Sequence, residues 1–114
     1  MGITKGRVPD EEDRELLKNR SRATFDAQAG TYDAGMEGEH ARRLYPHVVR
    51  EVTAAVADVP APRLLDLGCG TGALAARMLN AVPTARLTCI DLSPRMVEAA
   101  WARLAGSAKV LFGD

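Results

Sequence analysis

Residues 63–81, RLLDLGCGTGALAARMLNA, decide the fold. The apolar run from Arg63 to Leu67 breaks into three glycines within five residues, Gly68, Gly70 and Gly72. A short apolar run before glycine reads as a buried strand. Leu74, Ala75, Met78, Leu79 and Val82 then recur at helical spacing. Strand, glycine turn and helix in that order make a ligand site. Glycine admits positive φ and lets a ligand come close to the backbone. The helix that follows offers free N–H groups and a partial positive charge. A phosphate or a carboxylate fits there on these grounds.

Downstream the alternation continues. ARLTCIDL (85–92) reads as a second strand and SPRMVEAAWARLAG (93–106) as a second helix. Ser93 suits the N-cap and Pro94 the first helical position. Met96, Val97, Ala100, Trp101 and Leu104 are expected on its inner face, with Trp101 in the core and Gly106 ending the helix. AKVLFGD (108–114) reads as a third strand. Upstream, residues 1 to about 9 read as a loose tail. PDEEDRELLKNRSRATFDAQA (9–29) is helix-permissive, with acids in its first turn. GTYDAGMEGE (30–39) reads as a loop. From Glu39, the residues Ala41, Leu44, Tyr45, Val48, Val49, Val52, Ala55, Val56 and Val59 have the spacing of an amphipathic helix, ended by VPAP (59–62). Helices followed by β, α, β, α, β give an α/β fold with a parallel sheet and crossover helices.

A chain of 114 residues favours one domain. Its 15 basic and 15 acidic residues cancel, so it lacks the basic footprint of a general nucleic-acid binder. No apolar run approaches the roughly 20 residues of a membrane span, and MGITKGRVPDEED has no apolar signal segment. Two cysteines, Cys69 and Cys89, are too few for a disulfide framework, and a reduced, cytoplasmic protein is expected. Cys69 reads as a small buried thiol without a partner base. His40 and His47 lack the further ligands a metal would need. Arg42 and Arg43 read as solvated helix surface.

Two nucleotide readings share the glycine turn. GCGTGA satisfies the dinucleotide pattern G-x-G-x-x-G/A, with Ala73 in the last place, and Asp91 lies 19 residues after Gly72, where an acid would bind ribose hydroxyls. A nicotinamide oxidoreductase is one reading. However, LLDLGCGTG resembles the first motif of the class I S-adenosylmethionine-dependent methyltransferases, (D/E)-x-G-x-G-x-G, through Asp66, Gly68, Gly70 and Gly72. An acid two residues before the first glycine suits a ligand with a cationic amino group and sits poorly against a pyrophosphate. LTCIDLSPRMVEAA is similar to the family's second-strand motif, which places Asp91 on the ribose hydroxyls. KVLFGD is similar to the third-strand end, which places Asp114 on the adenine amino group. The segment FDAQAGTYDAG, with Phe25, Ala29, Tyr32 and Asp33, resembles the F-x-x-x-A-x-x-Y-D opening of small-molecule methyltransferases of the ubiquinone/menaquinone-biosynthesis type. There it covers the cofactor and shapes the substrate pocket.

The resemblance implies a Rossmann-like parallel sheet, strands 1–3 of a seven-stranded methyltransferase fold, preceded by N-terminal helices. Residues 1–60 would be a tail and helices on the cofactor-lid and substrate side, and 61–114 the first half of the S-adenosylmethionine-binding domain, truncated after strand 3. The cofactor contacts it implies are Tyr32, Asp66, Gly68, Cys69, Gly70, Gly72, Asp91, Leu92, Met96 and Asp114. The expected activity is methyl transfer to a small-molecule acceptor, with this half inactive alone; the sequence names no catalytic base. A non-catalytic assembly module that keeps the fold is the reading from another class.

One structural problem follows. Two right-handed crossovers running the same way put both helices on one face of the sheet. Parallel sheets are normally covered on both faces. Leu64, Leu65, Leu67, Leu87, Ile90, Val110, Leu111 and Phe112 must divide between the faces, so some should be bare. The unpaired edge of the first strand and that bare face predict self-association.

Overall fold

The computed structural model describes residues 8–35 and 38–114. Most of the expected tail, and residues 36 and 37 of the expected loop, lie outside them. The elements are α1 (Glu11–Gln28), α2 (Glu39–Ala55), β1 (Arg63–Leu67), α3 (Ala73–Ala81), β2 (Arg86–Asp91), α4 (Pro94–Leu104) and β3 (Lys109–Phe112). The strands form one parallel sheet in the order β1-β2-β3.

Local chemistry sets the helix ends. Asp10 caps α1 by accepting from the Asp13 N–H at 2.9 Å, while the Asp13 carboxylate accepts from the Asp10 N–H at 3.2 Å. This reciprocal box satisfies two donors that a helix start leaves free. Ser93 caps α4 as its sequence predicts, accepting from the Met96 N–H at 3.2 Å. The end of α4 differs from expectation. The left-handed turn begins at Ala105 (φ 47°), one residue before Gly106 (φ 86°). α2 ends at Ala55, ahead of VPAP, and none of its residues is buried.

The core lies on one face of the sheet. Leu87, Cys89 and Val110 are buried there with Ala75 of α3 and Ala100 and Leu104 of α4. Leu64 packs against them. Trp101 is a correction: it is 66% exposed. The inward line of α4 is Met96, Ala100, Leu104, spaced by four, and Trp101 turns about 100° away from it. A small residue is needed at 100, because α4 passes very close to Gly72. A Cβ added at Gly72 would lie 3.3 Å from both Ala100 Cα and Ala100 Cβ.

Among the described residues nothing covers the opposite face, as the crossover argument expects. The strand register aligns Leu67, Ile90 and Leu111 on that face. Leu65 is 59% exposed and Leu67 69%, and Leu111 is exposed too. Parallel strands alternate their side chains between faces, and the described helices pack together on the other one.

Candidate functional site

The glycine turn adopts the geometry its composition allows. Gly68, Gly70 and Gly72 all have positive φ, at 75°, 56° and 82°. A Cβ on Gly68 or Gly70 would meet nothing within 4 Å, so both face open space. The turn is pinned to β2 on one side, with the Gly68 and Cys69 N–H groups donating to Ile90 O at 2.8 and 3.1 Å.

Asp91, at the end of β2, ties the two ligand loops together. Its Oδ2 accepts from the Gly70 N–H at 2.8 Å and its Oδ1 from the Ser93 N–H at 2.9 Å. A carboxylate has about four acceptor positions, so it keeps capacity for a ligand's hydroxyls.

A cavity of about 240 Å³ opens beside these groups, lined by Ser21, Phe25, Tyr32, Gly68, Gly70, Asp91, Leu92 and Met96. Of the sequence-derived contacts, Tyr32, Gly68, Gly70, Asp91, Leu92 and Met96 therefore share one space. Cys69 and Gly72 do not line it. Cys69 is buried in the core, where hydrogen bonding to Cys89 and burial push its thiol pKa up. It is inert as a nucleophile on these terms. Gly72 caps α3 and allows the close approach of α4.

Asp66 lines a separate apolar cavity of about 150 Å³ with Val48, Val52, Leu64, Leu74 and Met78 among its neighbours. Among the described residues its carboxyl has no hydrogen-bond or ion-pair partner. Burial, then the nearby Asp91 charge, raise its pKa above the ordinary carboxylate range. A cationic group would relieve both effects. Asp114 is exposed and pairs with Lys18 of α1. Among the described residues no group of three or more His, Cys, Asp or Glu could hold a metal.

Sequence reasoning missed how the N-terminal segment attaches. Lys18, Arg22 and Asp26 lie four apart on one face of α1. Lys18 pairs with Asp114, Arg22 Nε donates to Leu92 O at 3.2 Å, and Asp26 accepts from Ser93 Oγ and from the Arg95 N–H. Arg22 also sits over the Phe112 ring at 5.7 Å. Farther on, Asp33 accepts from Thr71 Oγ1 at 2.6 Å and pairs with Arg103. Arg42 holds the same turn by donating to Tyr32 O and Gly35 O, each at 2.7 Å. The i, i+4, i+8 spacing of charges was visible in the sequence, but these partners lie between 67 and 96 residues away.

Residues 64–113 match the methyltransferase domain family. Over that stretch the chain carries a methyltransferase domain of the class I, S-adenosylmethionine-dependent type. It is similar to the malonyl-[acyl-carrier protein] O-methyltransferase of Hahella chejuensis, 38% identical over 98 residues, covering 83% of this chain and 32% of that protein. It is also similar to the trans-aconitate 2-methyltransferase of Streptomyces coelicolor, 42% identical over 77 residues, covering 65% of this chain and 25% of that one. The chain thus spans a third or less of the length of these relatives. Among solved structures, the chain resembles the putative methyltransferase complexed with the Haloferax volcanii Trm112 methyltransferase activator. There the TM-score is 0.52 and the identity 26%, over 95% of this chain and 41% of that one. A DhpI complex with SAM and HEP has a TM-score of 0.62 at 21% identity, over 87% of this chain and 42% of that one, which shows the shared fold. The family's cofactor is S-adenosylmethionine. Among the described residues no helix is long and apolar enough to cross a membrane.

Proposed function

We propose that this chain holds S-adenosylmethionine between its glycine turn and Asp91, as the cofactor-binding part of an enzyme that methylates a small or carrier-linked acid. The carrying observation is the Asp91 carboxylate, bonded to Gly70 and Ser93 beside two glycines that face open space. The residues fit the group chemically. Asp91 has acceptor capacity for the ribose hydroxyls, and Leu92, Met96 and the ring of Phe25 offer apolar walls. Asp66 lines the other cavity but lies near enough to feel the Asp91 charge, and its unpartnered carboxyl suits a cationic amino group. Asp114 pairs with Lys18 through one carboxylate oxygen and keeps acceptor capacity for the adenine amino group. The cavity of about 240 Å³ is smaller than the roughly 300–1,000 Å³ usual for ligand sites, so these residues enclose part of the ligand.

S-adenosylmethionine supplies an activated methyl group and a neutral leaving group. The chain's own residues orient the ligand and exclude water from it, which is what an in-line displacement mainly requires. Residues 1–60 serve as the covering segment and 61–114 as the cofactor half. The acceptors in the relatives' names, malonyl and trans-aconitate, both carry carboxylates, which supports an acid as the acceptor.

Calorimetric titration with S-adenosylhomocysteine, with NAD as control, tests this reading. Saturable binding of the first alone, lost in Asp91→Ala, is expected. Binding of NAD alone would return the chain to the nicotinamide reading. Binding of neither would leave a non-catalytic scaffold. The bare face carrying Leu65, Leu67 and Leu111 favours self-association as a second property of the chain.

A further inference from the structure

The two acids of the N-terminal segment stand next to its two cavity-lining rings: Phe25-Asp26 and Tyr32-Asp33. Each acid reaches a different ligand loop. Asp26 bonds Ser93 Oγ and the Arg95 N–H, at the loop after β2. Asp33 bonds Thr71 Oγ1, in the glycine turn after β1, and pairs with Arg103. The rings meet edge to face, with centroids 6.3 Å apart.

Apolar burial does not hold this segment down. No residue of α1 is buried, and Leu16, Leu17 and Phe25 are all exposed. Among the described residues, hydrogen bonds, ion pairs and a cation–π contact tie it to the rest of the chain. An element with few buried apolar contacts opens at low free-energy cost. Charged contacts at the surface also weaken with salt.

We infer that Asp26 and Asp33 are positioning residues that latch residues 8–35 across both ligand loops, setting the rings of Phe25 and Tyr32 over the cavity and governing how slowly a bound ligand leaves. The ligand half of this inference rests on the adenosyl reading above. The latch itself does not, because it exists in the free chain. Asp26 acts twice at one place. It accepts a hydrogen bond from the Ser93 hydroxyl, whose oxygen in turn caps Met96, and it accepts directly from the Arg95 N–H. α1 therefore completes the N-terminal cap of α4 from outside α4, next to Asp91. Asp33 makes the matching connection to the glycine turn. Opening the segment breaks both connections and exposes the cavity.

The test uses the full chain and the variants Asp26→Asn and Asp33→Asn, which keep shape and remove charge. Amide hydrogen exchange without ligand is expected to rise at least about tenfold over residues 11–35 in each variant, the order expected from losing one charge-assisted hydrogen bond. Amides of β2 and α4 beyond its first turn should keep their protection, which shows the chain still folded. S-adenosylhomocysteine release should accelerate by about the same factor. Salt at about 1 M should speed release from the wild type and have little further effect on the double variant. Unchanged exchange over residues 11–35 in both variants overturns the latch. Faster exchange with unchanged release overturns its role in ligand retention. If the wild type binds no S-adenosylhomocysteine, the cofactor reading and the ligand-retention role fail together, while the exchange measurement still decides the latch. Should Asp33→Asn unfold the chain, Arg103→Gln removes the same ion pair from an exposed partner, and the same two readouts apply.

Discussion

Asp91 Oδ2 accepts a hydrogen bond from the Gly70 N–H at 2.8 Å, joining the end of β2 to the middle of the glycine turn. The carboxylate is thus a structural brace before it is a ligand contact. It fixes the turn in the open, positive-φ form that the cavity needs.

Replacing Asp91 by Ala should have two effects. It leaves the Gly70 and Ser93 N–H groups without their partner, and should lower stability by roughly 1–3 kcal/mol. It should also weaken S-adenosylhomocysteine binding by about a hundredfold or more, as two charge-assisted contacts are lost. Urea denaturation and calorimetry check these separately.

Asp66 makes the chain less stable when it ionises. Its folded-state pKa is raised, so between the unfolded and folded values the native state binds more protons, and stability falls as pH rises through that window. Below the unfolded value the effect vanishes. Asp66→Asn should therefore raise the melting temperature at pH 7, with little change in acid below the unfolded value. It should also weaken S-adenosylhomocysteine binding, because the ligand's amino group loses its counter-charge. Unchanged affinity in this variant would remove Asp66 from the site.

The glycines of the turn should differ in their tolerance of alanine. Gly70→Ala meets only the backbone penalty of a left-handed conformation, about 1–2 kcal/mol, since its Cβ faces open space. Gly72→Ala adds contacts at 3.3 Å with Ala100 to the same penalty, and should cost at least about 1 kcal/mol more. Denaturation midpoints of the two variants should rank in that order, whereas ligand affinity should suffer more in Gly70→Ala.

The exposed sheet face predicts an association that depends on concentration. Leu65→Glu with Leu67→Lys should leave the melting temperature of the monomer nearly unchanged, because both side chains are largely in solvent. In sedimentation experiments the wild type should associate and the double variant should remain monomeric. A wild type that stays monomeric at high concentration would disprove the association.

The Asp26–Ser93 contact should fail in acid. The Ser93 hydrogen bond holds the Asp26 pKa below its ordinary value, so its contribution is present above the unfolded value and is lost as pH falls through the folded one. Exchange protection of α1 should drop in that range in the wild type, and drop less in Asp26→Asn, where the Lys18–Asp114 pair still titrates.

The sequence by itself determined the alternation of strands and helices, the positive-φ turn at Gly68, Gly70 and Gly72, the Ser93 cap and the division of the sheet into a covered and a bare face. These follow from short-range rules: apolar periodicity, glycine's freedom, capping chemistry and crossover handedness. It also placed Tyr32, Asp91, Leu92 and Met96 together through family resemblance. Only the tertiary structure decided that Trp101 faces solvent, since Ala100 has to approach Gly72 and the helix turns the indole outward. The same holds for the pairing of Asp114 with Lys18, and for Asp26 and Asp33, whose hydrogen-bond partners Ser93 and Thr71 lie 67 and 38 residues away. Hydrogen-bond partners at such separations are set by how the N-terminal segment lies across the strand ends, and no local pattern encodes that placement.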